Sequence, residues 1–172
     1  LAPLANATPL FINEGLLRRS TVAGDFSIML PFQNSGSIEA LLGGLVFTQS
    51  YTDQSGSINL LGGTLRASQP LRLSRGWLRG YGGLRADVVS GSTLQVVGTN
   101  GVMQIEGDYT QSLEGGVEFL IAGPQAGVSH GRLDITGAAK LDGSIAVRWV
   151  DGYVPEVGAV FQVMTFNRGE GQ

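Results

Sequence analysis

Ser35-Gly36-Ser37-Ile38 recurs as Ser55-Gly56-Ser57-Ile58, twenty residues further along the chain. The same register then reaches Leu78, and Gly-Gly pairs at 43–44, 62–63 and 82–83 follow nearly the same spacing. A period near twenty is the length of one coil of a solenoid. Because apolar residues alternate over short spans on either side of each Gly pair, each repeat predicts one turn of a β-helix with parallel strands stacked coil on coil.

Length and composition fit this interpretation. The chain has 172 residues, enough for one domain with a sizeable core. Gly accounts for 27 of them, more than twice the usual share, and solenoid corners need residues that accept positive φ. We therefore predict an all-β fold, a single parallel β-helix domain over 1–172. Its predicted parts are N-terminal capping coils at 1–34, regular coils at 35–107 and closing coils at 108–172.

Several classes of partner are disfavoured by composition. The net charge is −3, which provides no electrostatic footprint for nucleic acid. Cysteine is absent, so the chain offers no disulfide framework or thiolate chemistry. Apolar runs stay shorter than the roughly 18 residues of a membrane span. The first residues lack the pattern of a signal peptide and resemble a domain edge, so any export signal would lie outside this sequence.

Glycine-punctuated segments follow one another from residue 107 onward. They are Gly107-Asp108-Tyr109-Thr110-Gln111, Gly115-Gly116-Val117-Glu118-Phe119, Gly131-Arg132-Leu133-Asp134-Ile135-Thr136-Gly137, Leu141-Asp142-Gly143-Ser144-Ile145, Gly152-Tyr153-Val154-Pro155 and Gly158-Ala159-Val160-Phe161-Gln162-Val163. In order and spacing they resemble the closing coils of right-handed β-helices in bacterial extracellular proteins, autotransporter passengers among them. The resemblance implies a right-handed β-helix, here of about seven or eight coils, and a secreted, extracellular location in bacteria.

As an isolated unit of this size, the chain also resembles the β-helical carbohydrate-binding modules attached to gut-bacterial xylanases. That resemblance implies a noncatalytic module that targets a glycoside hydrolase, the catalytic domain of the same polypeptide, to plant cell-wall polysaccharide. Xylan is the favoured ligand. Two alternatives stay open, because this ending serves many functions. One is a structural or adhesive β-helix segment of a bacterial surface or autotransporter-like protein, and the other is a β-helical polysaccharide lyase or hydrolase.

Residue types needed for catalysis are sparse. A Ser/His/Asp arrangement would depend on His130, the single histidine, whose Gly-flanked segment predicts a loop. One His and no Cys do not make a zinc site. The glycine cluster Gly80-Tyr81-Gly82-Gly83 lacks the following helix that a nucleotide-binding loop needs. We therefore expect no catalytic residue, no metal site and no cofactor.

Acidic residues are the remaining catalytic candidates, since β-helical lyases and hydrolases use acid clusters. They are Glu106 with Asp108, and Glu114 with Glu118, while Asp134 and Asp142 occupy turn positions. Both pairs lie beside Gly at predicted corners, where acids usually face water. We interpret them as solvated structural residues, and no loop motif supports bound calcium.

Outward-facing side chains carry the binding hypothesis. If Ile38, Ile58 and Leu78 point inward, their odd-numbered neighbours point outward, because side chains alternate along a strand. The three outward rows are Ser37, Ser57 and Trp77; Glu39, Asn59 and Arg79; and Leu41, Leu61 and Tyr81.

Trp77 and Tyr81 therefore share one strand face, roughly 13 Å apart, which suits a short run of sugar rings. Flat rings stack on the C–H face of a pyranose, and Arg79, Asn59 and Glu39 would hydrogen-bond the hydroxyls. We predict that these five residues bind the polysaccharide. In the alternative interpretation, Trp77 and Tyr81 pack under the N-terminal segment or a long loop.

The positions of three further aromatic residues predict their roles. Tyr51 is predicted on a corner loop, where it would extend the binding surface. Tyr153, in the turn before Pro155, is predicted to be the most exposed aromatic residue near the end of the chain and a further ligand contact. Trp149 shares parity with Ile145 and Val147 and is predicted to face the core.

Overall fold

The computed structural model describes residues 9–53, 55–97 and 101–170. Within this part of the chain the fold is all β, with sixteen strands in one sheet and no helix. The ends of the predicted capping and closing coils, 1–8 and 171–172, lie outside the described residues. The strands are β1 (Phe11–Asn13), β2 (Leu16–Ile28), β3 (Phe32–Asn34), β4 (Ser37–Phe47), β5 (Tyr51–Asp53), β6 (Ser57–Ala67), β7 (Leu71–Leu73), β8 (Trp77–Arg85), β9 (Val88–Ser90), β10 (Thr93–Val96), β11 (Val102–Ile105), β12 (Tyr109–Gln111), β13 (Gly116–Ile121), β14 (Arg132–Leu141), β15 (Ser144–Trp149) and β16 (Met164–Glu170).

The strands pair in three runs, and every ladder in these runs is parallel. The first run contains the N-terminal halves of β2, β4, β6 and β8, followed by β10, β13 and β15. The second contains the C-terminal halves of β2, β4, β6 and β8, followed by β11 and the N-terminal halves of β14 and β16. The third contains β1, β3, β5, β7, β9 and β12, followed by the C-terminal halves of β14 and β16.

Glycine pairs connect the first run to the second inside β4, β6 and β8. The φ angles are 69° at Gly43, 103° at Gly62 and 134° at Gly82. Residues with a Cβ rarely adopt these values, whereas Gly adopts them readily. The predicted use of glycine at positive φ is confirmed at these three positions.

The predicted twenty-residue register is confirmed in the first run. Ile38 pairs with Ile58 and Ile58 with Leu78, and all three are buried. The column continues through Leu94 and Val117, which are also buried. The core therefore contains a continuous apolar ladder, and the alternate residues of each strand face outward.

A cluster of aromatic rings fills the core near the N-terminal strands and contains Tyr51. The Tyr51 ring stacks on Phe32 with a centroid distance of 5.7 Å and meets Phe47 at 4.9 Å. Tyr51 belongs to β5 and is only 2% exposed. The prediction that it lies on a corner loop and extends the binding surface is therefore wrong. Packing against these two rings removes the apolar surface of the Tyr51 ring from water, whereas at an exposed corner that surface would stay hydrated.

Trp149 keeps the predicted parity but not the predicted burial. It pairs with buried Ile121, yet its side chain is 46% exposed. In the described part of the chain, β15 has a strand partner only on the β13 side, so no strand covers Trp149 on the other, where the Phe161 ring lies at a centroid distance of 5.5 Å. Tyr153 is half-buried and packs near Trp149 and Phe161 at centroid distances of 6.1 and 6.2 Å. The prediction that Tyr153 is the most exposed aromatic residue there is wrong.

Candidate functional site

Parallel pairing brings the predicted polar contact residues into one row. Asn59 of β6 pairs with Glu39 of β4 on one side and with Arg79 of β8 on the other. In the flanking rows, Trp77 pairs with Ser57 and Tyr81 with Leu61.

This row forms the polar wall of a groove on the outer face of the first run. The polar wall consists of Glu39, Asn59, Arg79 and Gln95. The groove encloses about 380 Å³, which lies within the size range of small-ligand sites. Four hydrogen-bonding side chains therefore meet at one concave surface.

The opposite wall is apolar and contains the tyrosine ring. It is formed by Leu61, Tyr81, Val97 and Leu120. A Cβ built at Gly62 would lie 3.5 Å from Tyr81 Cε2, and one built at Gly101 would lie 2.7 Å from Tyr81 Cβ. The distance at Gly62 is an ordinary van der Waals contact, whereas the one at Gly101 is too short for a real Cβ, so Gly101 allows the close approach that sets the position of Tyr81 on this wall.

Hydrogen bonds between neighbouring strands hold the polar wall in place. Arg79 Nε donates to Asn59 Oδ1 at 2.5 Å, and Asn59 Nδ2 donates to Ser37 Oγ at 3.4 Å. Glu39 forms an ion pair with Arg18 at 2.7 Å. Charge-assisted bonds of this kind are shorter and stronger than neutral ones. The wall therefore presents pre-positioned donors and acceptors.

Gln95 joins the groove to a second charged pair. Its Nε2 donates to Glu118 Oε2 at 2.5 Å, and Glu118 also pairs with Arg148 at 2.5 Å. Each acid beside the groove thus has a cationic partner, and the wall has no large excess of either charge.

Trp77 is exposed but lies outside the groove. Its side chain is 47% exposed and borders a neighbouring hollow with Thr93, Gln95 and Glu118. The Arg79 Cζ atom lies 5.3 Å from the centroid of the Trp77 ring, a cation–π distance. The structure thus brings Glu39, Asn59, Arg79 and Tyr81 together, with Trp77 beside them.

Two other predicted contact residues are elsewhere. Tyr51 is buried in the third run, and Tyr153 packs beside Trp149 at the β15 edge. The sequence interpretation also missed Gln95, Val97 and Leu120. The interval from β8 to β10 is shorter than twenty residues, so the repeat register fails there. The alternation of polar and apolar residues from Thr93 to Val96 was the sequence signal that could have placed Gln95 on the outward face.

The catalytic candidates are bonded within the fold. His130 is buried, with Nδ1 2.9 Å from the Gly123 carbonyl oxygen. Glu106 pairs with Arg85 at 3.0 Å, and Asp108 Oδ1 accepts the Ala138 backbone N–H at 2.7 Å. No cluster of three or more His, Cys, Asp or Glu positioned for a metal ion occurs in the ranges that the structure covers.

Asp134 is also a structural acid. Burial tends to raise its pKa, but hydrogen bonds from Arg132 and Thr165, together with the Arg132 charge, lower the pKa below the usual value. The Arg132 guanidinium bonds both carboxylate oxygens, each at 2.7 Å. Asp134 is therefore ionised: its bonds from Arg132 lie within β14, and the bond from Thr165 Oγ1, at 2.7 Å, links β14 to β16.

One buried acid was not recognised from the sequence. Asp53 is 1% exposed, and its Oδ1 accepts bonds from Asn34 Nδ2 at 3.2 Å and the Gly56 backbone N–H at 3.0 Å. Its Oδ2 has no hydrogen-bond partner within the described residues. Burial raises the pKa of Asp53 to about 7, although the bonds from Gly56 and Asn34 oppose the shift.

Comparisons with protein-family models, curated proteins and solved structures found no match to this chain. Across the described residues, there is no helix with the length and apolar character needed to cross a membrane.

Proposed function

We propose that this chain is a noncatalytic glycan-binding domain whose ligand occupies the groove on the first run. The observation that carries the proposal is the meeting of Glu39, Asn59 and Arg79 with Tyr81 in one concave site. Sugar rings have polar edges and apolar C–H faces. A polar wall opposite an apolar wall with an aromatic ring matches both features.

The favoured ligand is a β-linked plant cell-wall polysaccharide, with xylan first. Its equatorial hydroxyls would bond to the polar wall while its C–H faces lie against Tyr81 and Leu61. The sequence resemblance supports attachment to a glycoside hydrolase in the same polypeptide, in a secreted bacterial protein. In that role, the domain would hold the catalytic domain close to insoluble substrate.

We infer further that the three runs wind as a right-handed β-helix of about seven or eight coils. Support comes from the twenty-residue register between β4, β6 and β8 and from glycines that redirect the chain between runs. Parallel stacking would supply the rigid surface that weak ligand contacts need. A crystal structure with left-handed winding would contradict this inference.

Binding is expected to be weak and to depend on Tyr81. One aromatic stack contributes on the order of 1 kcal/mol, so a few contacts predict a dissociation constant between about micromolar and millimolar. In affinity electrophoresis, xylan should retard the unchanged chain, and Tyr81→Ala should abolish most of the retardation. Added salt should have little effect, because the ligand is uncharged.

Leu113→Ala serves as a control, because Leu113 is exposed and lies outside the groove. Mixed-linkage glucan and mannan test which backbone is preferred. Equal retardation of the unchanged chain and Tyr81→Ala would place the glycan at another surface. Absence of retardation on all three glycans would favour a structural or adhesive spacer.

The isolated chain is expected to release neither reducing sugar nor unsaturated product from these polysaccharides. Glu106 and Asp108 already hold Arg85 and the backbone of β14, so they are poorly placed to act as general acid and base. Reducing-end and ultraviolet assays test this expectation. Activity that disappears in Glu106→Gln or Asp108→Asn would instead support the lyase or hydrolase alternative.

A further inference from the structure

The groove crosses the strands instead of following one of them. Its polar wall takes one residue each from β4, β6, β8 and β10, and Leu120 of β13 lines it too. These strands are successive neighbours in the first run. Neighbouring strands lie about 4.8 Å apart, so four steps from β4 to β13 give a length of roughly 19 Å.

A ligand aligned with β8 would meet an obstacle. Arg79 lies between Trp77 and Tyr81 in that strand, and its guanidinium is held against the Trp77 ring and bonded to Asn59. One face of Trp77 is therefore covered by a side chain of the protein. Stacking one sugar chain on both rings would require it to pass over Arg79.

The charges along the groove favour an uncharged ligand. Glu39 is paired with Arg18, and Glu118, beside Gln95, is paired with Arg148. Arg79 is bonded to a neutral amide, so the wall itself carries one acid and one base. Because Arg18 and Arg148 already neutralise Glu39 and Glu118, the charge left over is that of Arg79, and a single cation gives a polyanion little to bind.

We propose that a linear, uncharged glycan lies across the strands from β4 to β13, and that Trp77 is a positioning residue for Arg79 that does not stack on the sugar. This orientation rests on the proposed function of the groove. One edge of the glycan bonds to Glu39, Asn59, Arg79 and Gln95. Its faces lie against Leu61, Tyr81 and Leu120.

Calorimetric titration with xylan oligosaccharides, from the disaccharide to the hexasaccharide, tests the orientation. Affinity is expected to rise with chain length until the groove is filled and then to level off. Leu120→Ala, four strands from Glu39, should weaken hexasaccharide binding about fivefold but leave disaccharide binding unchanged. Trp77→Ala should weaken binding less than Tyr81→Ala does, because it loosens Arg79 without removing a sugar contact, and Trp77→Phe, which keeps a flat ring under Arg79, should restore the affinity.

Leu113→Ala is the matched control, and thermal unfolding of each variant separates lost binding from lost folding. If Trp77→Ala weakens binding as much as Tyr81→Ala while Leu120→Ala has no effect, the glycan follows β8 and the orientation is wrong. If the unchanged chain binds none of the oligosaccharides and no xylan, the proposed function itself fails. If binding becomes tighter with oligosaccharide length and Leu120→Ala weakens it, the result supports both the proposed function and the orientation across the strands.

Discussion

Asp53→Asn is expected to stabilise the protein at pH 8 by on the order of 4 kcal/mol and to leave its stability near pH 4 almost unchanged. Asp53 is 1% exposed and sits at the end of an amide ladder. In that ladder Asn13 Nδ2 donates to Asn34 Oδ1 at 2.8 Å, and Asn34 Nδ2 donates to Asp53 Oδ1 at 3.2 Å. Asparagine would keep the accepting oxygen and remain neutral at every pH.

The direction follows from the pKa of Asp53, which is raised from 3.8 to about 7. Well below pH 4 the Asp53 carboxyl is protonated in both the folded and the unfolded state. Burial of the neutral carboxyl then carries no penalty from ionisation, and the stability of the folded state is at its full value. Between about pH 4 and 7 the unfolded state releases the proton while the folded state retains it. Stability is lost as the pH rises through this window, and above about pH 7 the loss is complete.

Urea unfolding of both chains between about pH 4 and 8 measures the effect. The difference in unfolding free energy should grow through this window and then level off. Glu114→Gln is the control, because it makes the same chemical change at an exposed site and should produce no such difference. A constant difference at every pH would show that Asp53 does not titrate with the predicted shift.

Gly80→Ala is expected to lower the free energy of unfolding by about 3 kcal/mol or more. Gly80 is buried in β8 with a φ of 114°, a conformation that strains any residue with a Cβ. An added Cβ would overlap the carbonyl oxygen of Leu60 in the neighbouring strand. Because that oxygen belongs to the backbone, relief requires β6 and β8 to move apart.

Gly15→Ala provides the matched control for this prediction. Gly15 does not have a strained positive φ, and a Cβ built there meets no described heavy atom within 4 Å. Thermal and urea unfolding should show a small change for Gly15→Ala and a large loss for Gly80→Ala. Equal unfolding free energies of the two variants would contradict the close packing between β6 and β8.

The local sequence pattern was sufficient to predict the register in which β4, β6 and β8 pair. The recurrence of Ser-Gly-Ser-Ile predicted the pairing of Ile38 with Ile58, and strand alternation then placed Glu39, Asn59 and Arg79 in one outward row. Such predictions succeed because alternation and spacing are properties of a short stretch of chain. They do not depend on what lies beside the stretch.

Burial depends on those neighbours, and it was predicted less well. Tyr51 was placed at the surface, but Phe32 and Phe47 from other strands enclose its ring. Trp149 was placed in the core, but its strand has a neighbour on one side in the described structure. For Trp149, strand parity says which way the side chain points but not how much covers it, and for Tyr51 the polar residues beside it in the sequence did not show that rings from other strands enclose it.

By itself, the sequence determined an all-β chain, its repeat register and the outward row that carries Glu39, Asn59 and Arg79. Tertiary structure alone decided that Gln95 extends that row, that Leu120 lies on the opposite wall of a groove across the strands, and that the Asp53 carboxyl is enclosed. The physical reason is that a groove and a raised pKa are set by atoms from several strands at once. Spacing along the chain carries that information only while the repeat stays regular, and it ceases to be regular after β8.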